Sequence, residues 1–457
     1  MAKIYENILE CVGQTPIVKL HKLGADMPHK FYAKLEFLNP GASIKDRIAL
    51  QIVEDAEASG ELKPGGTIIE CTSGNTGMGL AMVGAVKGYQ CVFVMPDKVS
   101  DEKIKALRAF GARVITTPTA VEPDDPRSYY SVAKRLSQEI PNAFYSNQYH
   151  NPSNAKAHYR MTGPEIWDQM GDKIDYLVVA TGTGGTISGT TKFLKEKNSK
   201  MKSLCVDPEG SVFYEYFKTG KLVKVLTTYK VEGFGEDFLP GAIDFKMIDE
   251  MVQVNDKECF QTARDLAKKE GLFVGGSCGG AVAGALKFAK SLSGKKTFLI
   301  LLPDSGSRYL SKFYDDGWMR ENRFLEDRRS VGSVRDVLGS RYGKVISAER
   351  GANVREVVAM MKKSSISQLP VLDRGKLVGL ISEVDLLNAM LKDVEAADRA
   401  IDKYVDQDFK ILDPTAGIGE LGPAFREGKI VIVSDNGKVV GIVTKIDLVD
   451  YLSARVQ

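Results

Sequence analysis

At 457 residues the chain is too long for a single hydrophobic core, so two or three domains are expected. Its 43% hydrophobic and 26% charged residues are those of a globular protein, and a net charge of +3 with interspersed acids and bases excludes a dominant nucleic-acid or anionic-membrane footprint. The longest apolar runs, such as residues 297–303 (TFLILLP), are far too short to span a bilayer.

The opening MAKIYENILE carries no apolar segment of a secretion signal, and the six cysteines (Cys11, Cys71, Cys91, Cys205, Cys259, Cys278) form no CxxC pair. They read as reduced thiols of a cytoplasmic protein, with neither a disulfide framework nor a metal site. The four histidines, His21, His29, His150 and His158, read as surface or packing residues.

Along the chain, apolar runs are each followed by a helical pattern. TIIECT (67–72) precedes MGLAMVGAVKGY, QCVFVMP (90–96) precedes SDEKIKALRAFGA, and DYLVVAT (175–181) precedes TISGTTKFLKEK. TFLILLP (297–303) closes the series. This alternation predicts an α/β fold on largely parallel sheets, with Gly-rich turns just after strands, where open α/β sheets bind ligands.

Residues 322–335 (NRFLEDRRSVGSVR) break the pattern as a charged linker, and an internal repeat follows. QLPVLDRGKLVGLISEVDLLNAM (368–390) is echoed by KIVIVSDNGKVVGIVTKIDLVDYL (429–452), with Gly379 and Gly441 62 residues apart. DRGK and DNGK predict tight turns between paired strands. The expected organisation is a catalytic domain over 1–325, a linker over 326–335 and a tandem pair over 336–457, with repeats at about 336–393 and 400–457.

Four segments carry chemistry. In NPGASIKDRIAL, Asn39, Pro40 and Gly41 form a turn, Ser43 can cap, and Ile44, Ile48 and Ile52 fall on one helical face, which puts Lys45 at a helix N-terminus. Burial and the helix field there both disfavour an ammonium, the direction an amine nucleophile needs, although such a lysine is also an ordinary solvated charge. ECTSGNTGMGLA (70–81) sets Thr72, Ser73, Asn75 and Thr76 in a strand-to-helix loop suited to a carboxylate, more hydroxyls than capping alone requires. TGTGGTISG (181–189) has the glycines and threonines of a phosphate cradle without the spacing of a dinucleotide fingerprint. In LPDSGSRY (302–309), Asp304 or Ser305 faces a ligand, or caps a helix.

Together and in this order, the segments resemble the fold-type II pyridoxal-phosphate enzymes, the tryptophan-synthase-β-like family, over about residues 5–322. The similarity rests on NPGASIKDR, TSGNTG, MPDKVSDEK, QYHNPSNAKAHY, GTGGT, VDPEGS, EGFGEDFLP, GGSCGG and LPDS. It implies a core of two open twisted sheets with flanking helices. QYHNPSNAKAHY and the Asp-Phe of EDFLP favour the cystathionine-forming members over cysteine synthases.

The resemblance implies roles for these residues. Lys45 carries the cofactor and shuttles the Cα proton; Thr72, Ser73, Asn75 and Thr76 hold the substrate carboxylate, with Asn75 also near the cofactor. Gly182, Thr183, Gly184, Gly185 and Thr186 hold its phosphate, and Ser305 meets its ring nitrogen. Gln148, Tyr149, Lys98 and Gly233 of the 233–240 loop meet the second substrate. A neutral hydroxyl does not keep a ring nitrogen protonated, which biases the chemistry toward losing a β-substituent.

The implied activity is a carbon–oxygen lyase reaction in which homocysteine replaces the hydroxyl of L-serine, giving cystathionine and water, with hydrogen sulfide as an additional product. An O-acetylserine-dependent cysteine synthase with a sensory tail, or a non-catalytic adenosyl-ligand sensor, remain alternatives. Two departures stand out: Glu236 replaces the Tyr of a Gly-Tyr-Asp-Phe loop, and only about a dozen residues precede GQTP, so no haem is expected. The tail resembles a pair of CBS domains (a Bateman module), which implies Ser382 with Asp385 and Thr444 with Asp447 as contacts for S-adenosylmethionine or another adenosyl ligand. A homodimer or higher homo-oligomer is implied as well.

Overall fold

The structure, a computed structural model, describes residues 4–454 except 73, 98, 100, 119–120, 122–124, 224–227 and 326–331. The chain divides into two compact units, Met1–Phe324 and Leu325–Gln457.

The first unit holds two sheets. One runs β1 (Ile17–Lys19), β2 (Lys30–Leu35), β10 (Thr297–Leu302), β7 (Tyr176–Ala180), β8 (Lys202–Pro208), β9 (Glu250–Val254) across its width, all parallel except the β1–β2 pair. The other is parallel throughout in the order β5 (Arg113–Thr117), β4 (Gln90–Pro96), β3 (Thr67–Cys71), β6 (Ala143–Tyr145). Their strands are near-continuous apolar runs because both faces are covered, as parallel sheets require. On the smaller sheet Ile68 and Phe93 pack on one side, and Ile69, Val92 and Val94 on the other. The apolar runs of the sequence end one residue beyond three of these strands, at Thr72, Thr181 and Pro303, where the chain leaves the ladder for a loop.

Helix α1 (Lys45–Ser59) starts on the buried face expected of it: Ile44, Ile48 and Ile52 are buried, and the Ser43 hydroxyl accepts from the Lys45 N–H at 3.3 Å. Two residues on, the Arg47 guanidinium is fully buried against the carboxylates of Glu36 (2.7 Å) and Glu165 (2.9 Å). Lys34 also pairs with Glu165, and the Thr15 hydroxyl donates to Glu36 at 2.7 Å. Losing one member of such a cluster strands a buried charge, at about 3–5 kcal/mol. The network therefore fastens the start of α1 to β2 and to helix Gly163–Met170.

In the second unit, the sheets run β11 (Ala348–Glu349), β12 (Gln368–Asp373), β13 (Lys376–Ser382) and β14 (Phe409–Leu412), β15 (Ile430–Asp435), β16 (Lys438–Val443). Arg374 and Gly375 (φ 51° and 79°) and Asn436 and Gly437 (φ 48° and 84°) turn the two hairpins, the left-handed pair a two-residue turn needs.

The repeats exchange segments at their borders. Residues 333–335, read as the end of the linker, open helix Val334–Leu338, whose Val334, Val337 and Leu338 pack with Leu412, Val431 and Val443 of the second repeat. Conversely Ile401, inside the stretch read as the second repeat, packs with Ala348, Val371 and Ile381 of the first. Each repeat leaves an apolar edge that chain from outside its own sequence match covers, the second by residues that precede the first repeat's strands and the first by a residue that follows them, so similarity in sequence does not coincide with membership of a core. Among the described residues, no helix is long and apolar enough to cross a membrane.

Candidate cofactor and substrate site

Thr72, Asn75 and Thr76, residues 182–186, and Asp304 and Ser305 follow the carboxyl ends of parallel strands β3, β7 and β10, Gln148 and Tyr149 follow β6, and Lys45 opens α1 after β2. After β7, residues 181–184 lead into α3, which we use for helix Gly185–Lys197; α2 denotes Asn75–Lys87. The N-cap of α3 is Gly184, in the left-handed region at φ +85°, and no side chain caps the helix. First-turn N–H groups and the helix dipole are thereby left facing the loop, an arrangement that attracts an anion.

The glycines are required by space. A Cβ at Gly184 would lie 2.1 Å from the Cβ of Ile243, and one at Gly185 would lie 1.9 Å from Oδ1 of Asn154. Lys45 lines the same cavity as Gly182, Thr183, Gly184, Thr186 and Gly233. Burial pushes its ammonium below the usual lysine range, against the opposing pull of the Asp304 and Glu236 carboxylates. A desolvated amine thus shares a cavity with an uncapped, Gly-lined helix start.

A second layer stands behind the loop. Helix Ser153–Ala157 continues through a π turn, His158–Thr162. Asn154 Nδ2 donates to Thr183 Oγ1 at 3.0 Å, and His158 Nε2 lies 3.1 Å from Thr186 Oγ1. His158, which reads as a packing residue in the sequence, is buried but holds hydroxyls at both ring nitrogens. Asn154 and His158 stand four apart in QYHNPSNAKAHY; that one-face spacing was the available signal for both.

Around α2 the other residues converge. Thr72 Oγ1 accepts from the N–H groups of Gly74 (3.1 Å) and Gly77 (3.3 Å), shaping the turn. The Thr76 hydroxyl donates to Gln148 Oε1 at 2.5 Å, and the Gln148 N–H donates to buried Glu70 at 3.1 Å. Burial raises the Glu70 carboxyl to about 7, against its bonds from Ser146 and Gln148. Tyr149 packs edge-on against Phe238 at 5.2 Å between ring centroids. Ser73 and Lys98 lie outside the described residues.

The choice left open in LPDS divides between the two residues. Ser305 Oγ accepts from Ser307 N–H at 3.3 Å and so caps a short turn. Asp304 is buried and accepts from Asn75 Nδ2 at 2.9 Å and from the Tyr309 hydroxyl at 2.7 Å. Arg308 donates to the other end of the Asn75 carboxamide and to the Gly41 carbonyl. Sequence reasoning missed Arg308, Glu70 and Asn154, whose contacts are mostly long-range.

A desolvated amine beside a cradle that a Cβ would fill, with threonine hydroxyls at its rim, fits an aldehyde that bears a phosphate. Residues 8–304 match the family described as pyridoxal-phosphate dependent enzyme, and residues 334–392 and 401–454 match the CBS domain. The chain is 38% identical to a cystathionine beta-synthase of Saccharomyces cerevisiae across 98% of both chains. The chain belongs to the cystathionine β-synthase family of pyridoxal-phosphate dependent enzymes. A cysteine synthase 1 of Neurospora crassa is also 38% identical, over 70% of this chain and 86% of its own. Among solved structures, an O-ureido-L-serine synthase superposes at a TM-score of 0.64, with 35% identity over 70% of this chain and all of that one. The family's catalytic part thus ends near the last strand of the first unit, and the tail is its CBS-domain pair.

The four tail residues are drawn together two by two. Asp385 accepts from the Ser382 N–H (2.9 Å) and hydroxyl, and Asp447 from the Thr444 N–H (2.8 Å) and hydroxyl (2.7 Å), so each pair forms a reciprocal capping box. The second carboxylate oxygen of Asp447 pairs with Arg341 at 2.7 Å.

Proposed function

We propose that this chain replaces the β-hydroxyl of L-serine with the thiol sulfur of L-homocysteine, forming L-cystathionine and water. The observation that carries the reading is Lys45: an amine with no hydrogen bond to its Nζ among the described residues, in one cavity with the uncapped start of α3. Pyridoxal phosphate, when bound, supplies the electron sink that lets a Cα–H bond of an amino acid break and a β-substituent depart.

The residues divide the remaining work. Gly182, Thr183, Gly184, Gly185 and Thr186 hold the phosphate through backbone N–H groups and hydroxyls. Thr72, Ser73, Thr76 and Asn75 take the serine carboxylate, with Thr76 and Gln148 already joined. Lys45 removes the Cα proton and later returns it. Between those steps the serine C–O bond breaks, its oxygen leaves with a proton as water, and the sulfur of homocysteine forms the new C–S bond. Tyr149, Gly233 and Lys98 meet that second amino acid. Ser305 provides a neutral partner for the ring nitrogen, which favours loss of the β-substituent over transamination. Sulfide in place of water as the co-product, from cysteine in place of serine, follows from the same steps.

We also assign the tail a regulatory role: an adenosyl compound, S-adenosylmethionine being the named candidate, binds at Ser382 and Asp385 or at Thr444 and Asp447. The assembly is a homodimer in the cytoplasm. Cystathionine formation from serine and homocysteine, measured beside cysteine formation from O-acetylserine and sulfide, tests the catalytic reading. Faster cysteine than cystathionine formation contradicts it, and unchanged rates with S-adenosylmethionine remove the regulatory assignment alone.

A further inference from the structure

We infer that His158 fixes the direction of the Thr186 hydroxyl proton and so acts, through Thr186, as a positioning residue for the cofactor phosphate. The inference rests on the reading of loop 182–186 as the phosphate cradle.

Asn154 and His158 stand four residues apart, both buried, and each meets one hydroxyl of the loop. The Asn154 carboxamide is oriented without ambiguity. Its Nδ2 also donates to the Gln148 carbonyl at 2.8 Å, and a carbonyl can only accept. Thr183 therefore accepts from Asn154 and keeps its own proton for a group in the cavity.

His158 offers the parallel case. Its Nδ1 lies 2.9 Å from Thr162 Oγ1 and its Nε2 lies 3.1 Å from Thr186 Oγ1. Burial first, then the nearby Arg47 and Lys45 cations, push its pKa well below the usual histidine value, so the ring is neutral. A neutral imidazole has one N–H and one lone pair.

Two arrangements remain. If Thr186 donates to Nε2, its proton is spent and only lone pairs face the cavity, which repel an anion. If Thr162 donates to Nδ1, Nε2–H donates to Thr186, and the Thr186 proton is free to point at phosphate. An anion over the α3 N-terminus selects the second. Both hydroxyls of the loop then donate inward, each supported from behind by a buried N–H. The π turn that opens at His158 belongs to a class of helix defects concentrated at functional sites.

The test uses the full chain with pyridoxal phosphate removed and returned, comparing its dissociation constant with that of pyridoxal, which lacks the phosphate. The phosphorus NMR shift of the bound cofactor gives a second readout. His158→Phe and Thr186→Val each weaken pyridoxal phosphate by roughly tenfold, the range of one hydrogen bond to a charged group, and displace the phosphorus signal. Pyridoxal binding stays within about twofold, and the double variant is no weaker than the worse single one, because both remove the same interaction. His158→Gln, which retains an N–H near the Nε2 position, recovers most of the affinity. His158→Asn, which reaches Thr162 but not Thr186, matches His158→Phe and serves if the latter does not fold.

Losses that multiply in the double variant, equal losses for pyridoxal, or a His158→Gln variant as weak as His158→Phe overturn the inference. An effect of Thr186→Val without one of His158→Phe overturns the inference and leaves the cradle standing. No effect of Thr186→Val removes the cradle reading and the inference with it.

Discussion

The start of α3 in the first unit and the helix starts after β13 and β16 in the second are built from the same parts: a strand, a polar turn and hydroxyl side chains at a helix N-terminus. They differ in where the hydroxyls are spent. In the tail, Ser382 and Thr444 are bound to the carboxylates three residues on, in closed capping boxes. At α3 the cap is a glycine, no side chain satisfies the first turn, and Thr183 and Thr186 turn to Asn154 and His158 instead. The difference teaches that a helix start becomes an anion site when its cap is withheld. Hydroxyl content alone does not decide it.

Alanine at two glycines breaks the comparison most sharply. Gly184→Ala drives a Cβ into Ile243 at a φ of +85°, so pyridoxal-phosphate affinity falls by at least an order of magnitude and the first unit loses roughly 1–3 kcal/mol of stability. Gly375→Ala has a similar φ, +79°, but meets nothing within 4 Å. It costs the tail about 1 kcal/mol and leaves cofactor binding unchanged. Cofactor titration beside denaturant melts of both variants checks the pair.

A second contrast is electrostatic. Glu70, behind Gln148, keeps a folded-state value of about 7, while an unfolded glutamate titrates near 4.5. The folded form therefore holds its proton longer, and this residue's contribution to stability is present below the unfolded value and is lost as pH rises through about 7. Glu70→Gln flattens the decline of unfolding free energy between about pH 5 and 8 by at most roughly 3 kcal/mol, read by melts across that range. An unchanged slope assigns the decline to other groups. Smallest of all, Ser382→Ala and Thr444→Ala each cost about 1 kcal/mol of cap stability, with cofactor affinity unaltered in the same titration.

Much of this was legible in the sequence, because short-range patterns carry it. Apolar runs such as QCVFVMP gave β4 from end to end, and DRGK and DNGK announced the two hairpins. What sequence could not carry is long-range. The capture of Val334 by the second repeat and of Ile401 by the first depends on which apolar edge each repeat leaves open. In LPDS, Asp304 turns inward to Asn75, 229 residues away, while Ser305 caps a turn. His158 was hidden for another reason: its meaning comes from the π turn and from Thr186, 28 residues away.

The central claim is that Lys45 and the uncapped start of α3 share one cofactor. Borohydride reduction of the loaded enzyme followed by peptide mapping tests it directly. The account predicts that the pyridoxyl group is fixed on Lys45, and that Lys45→Ala yields no labelled peptide. A label on any other lysine, or full labelling of the Lys45→Ala variant, would contradict it.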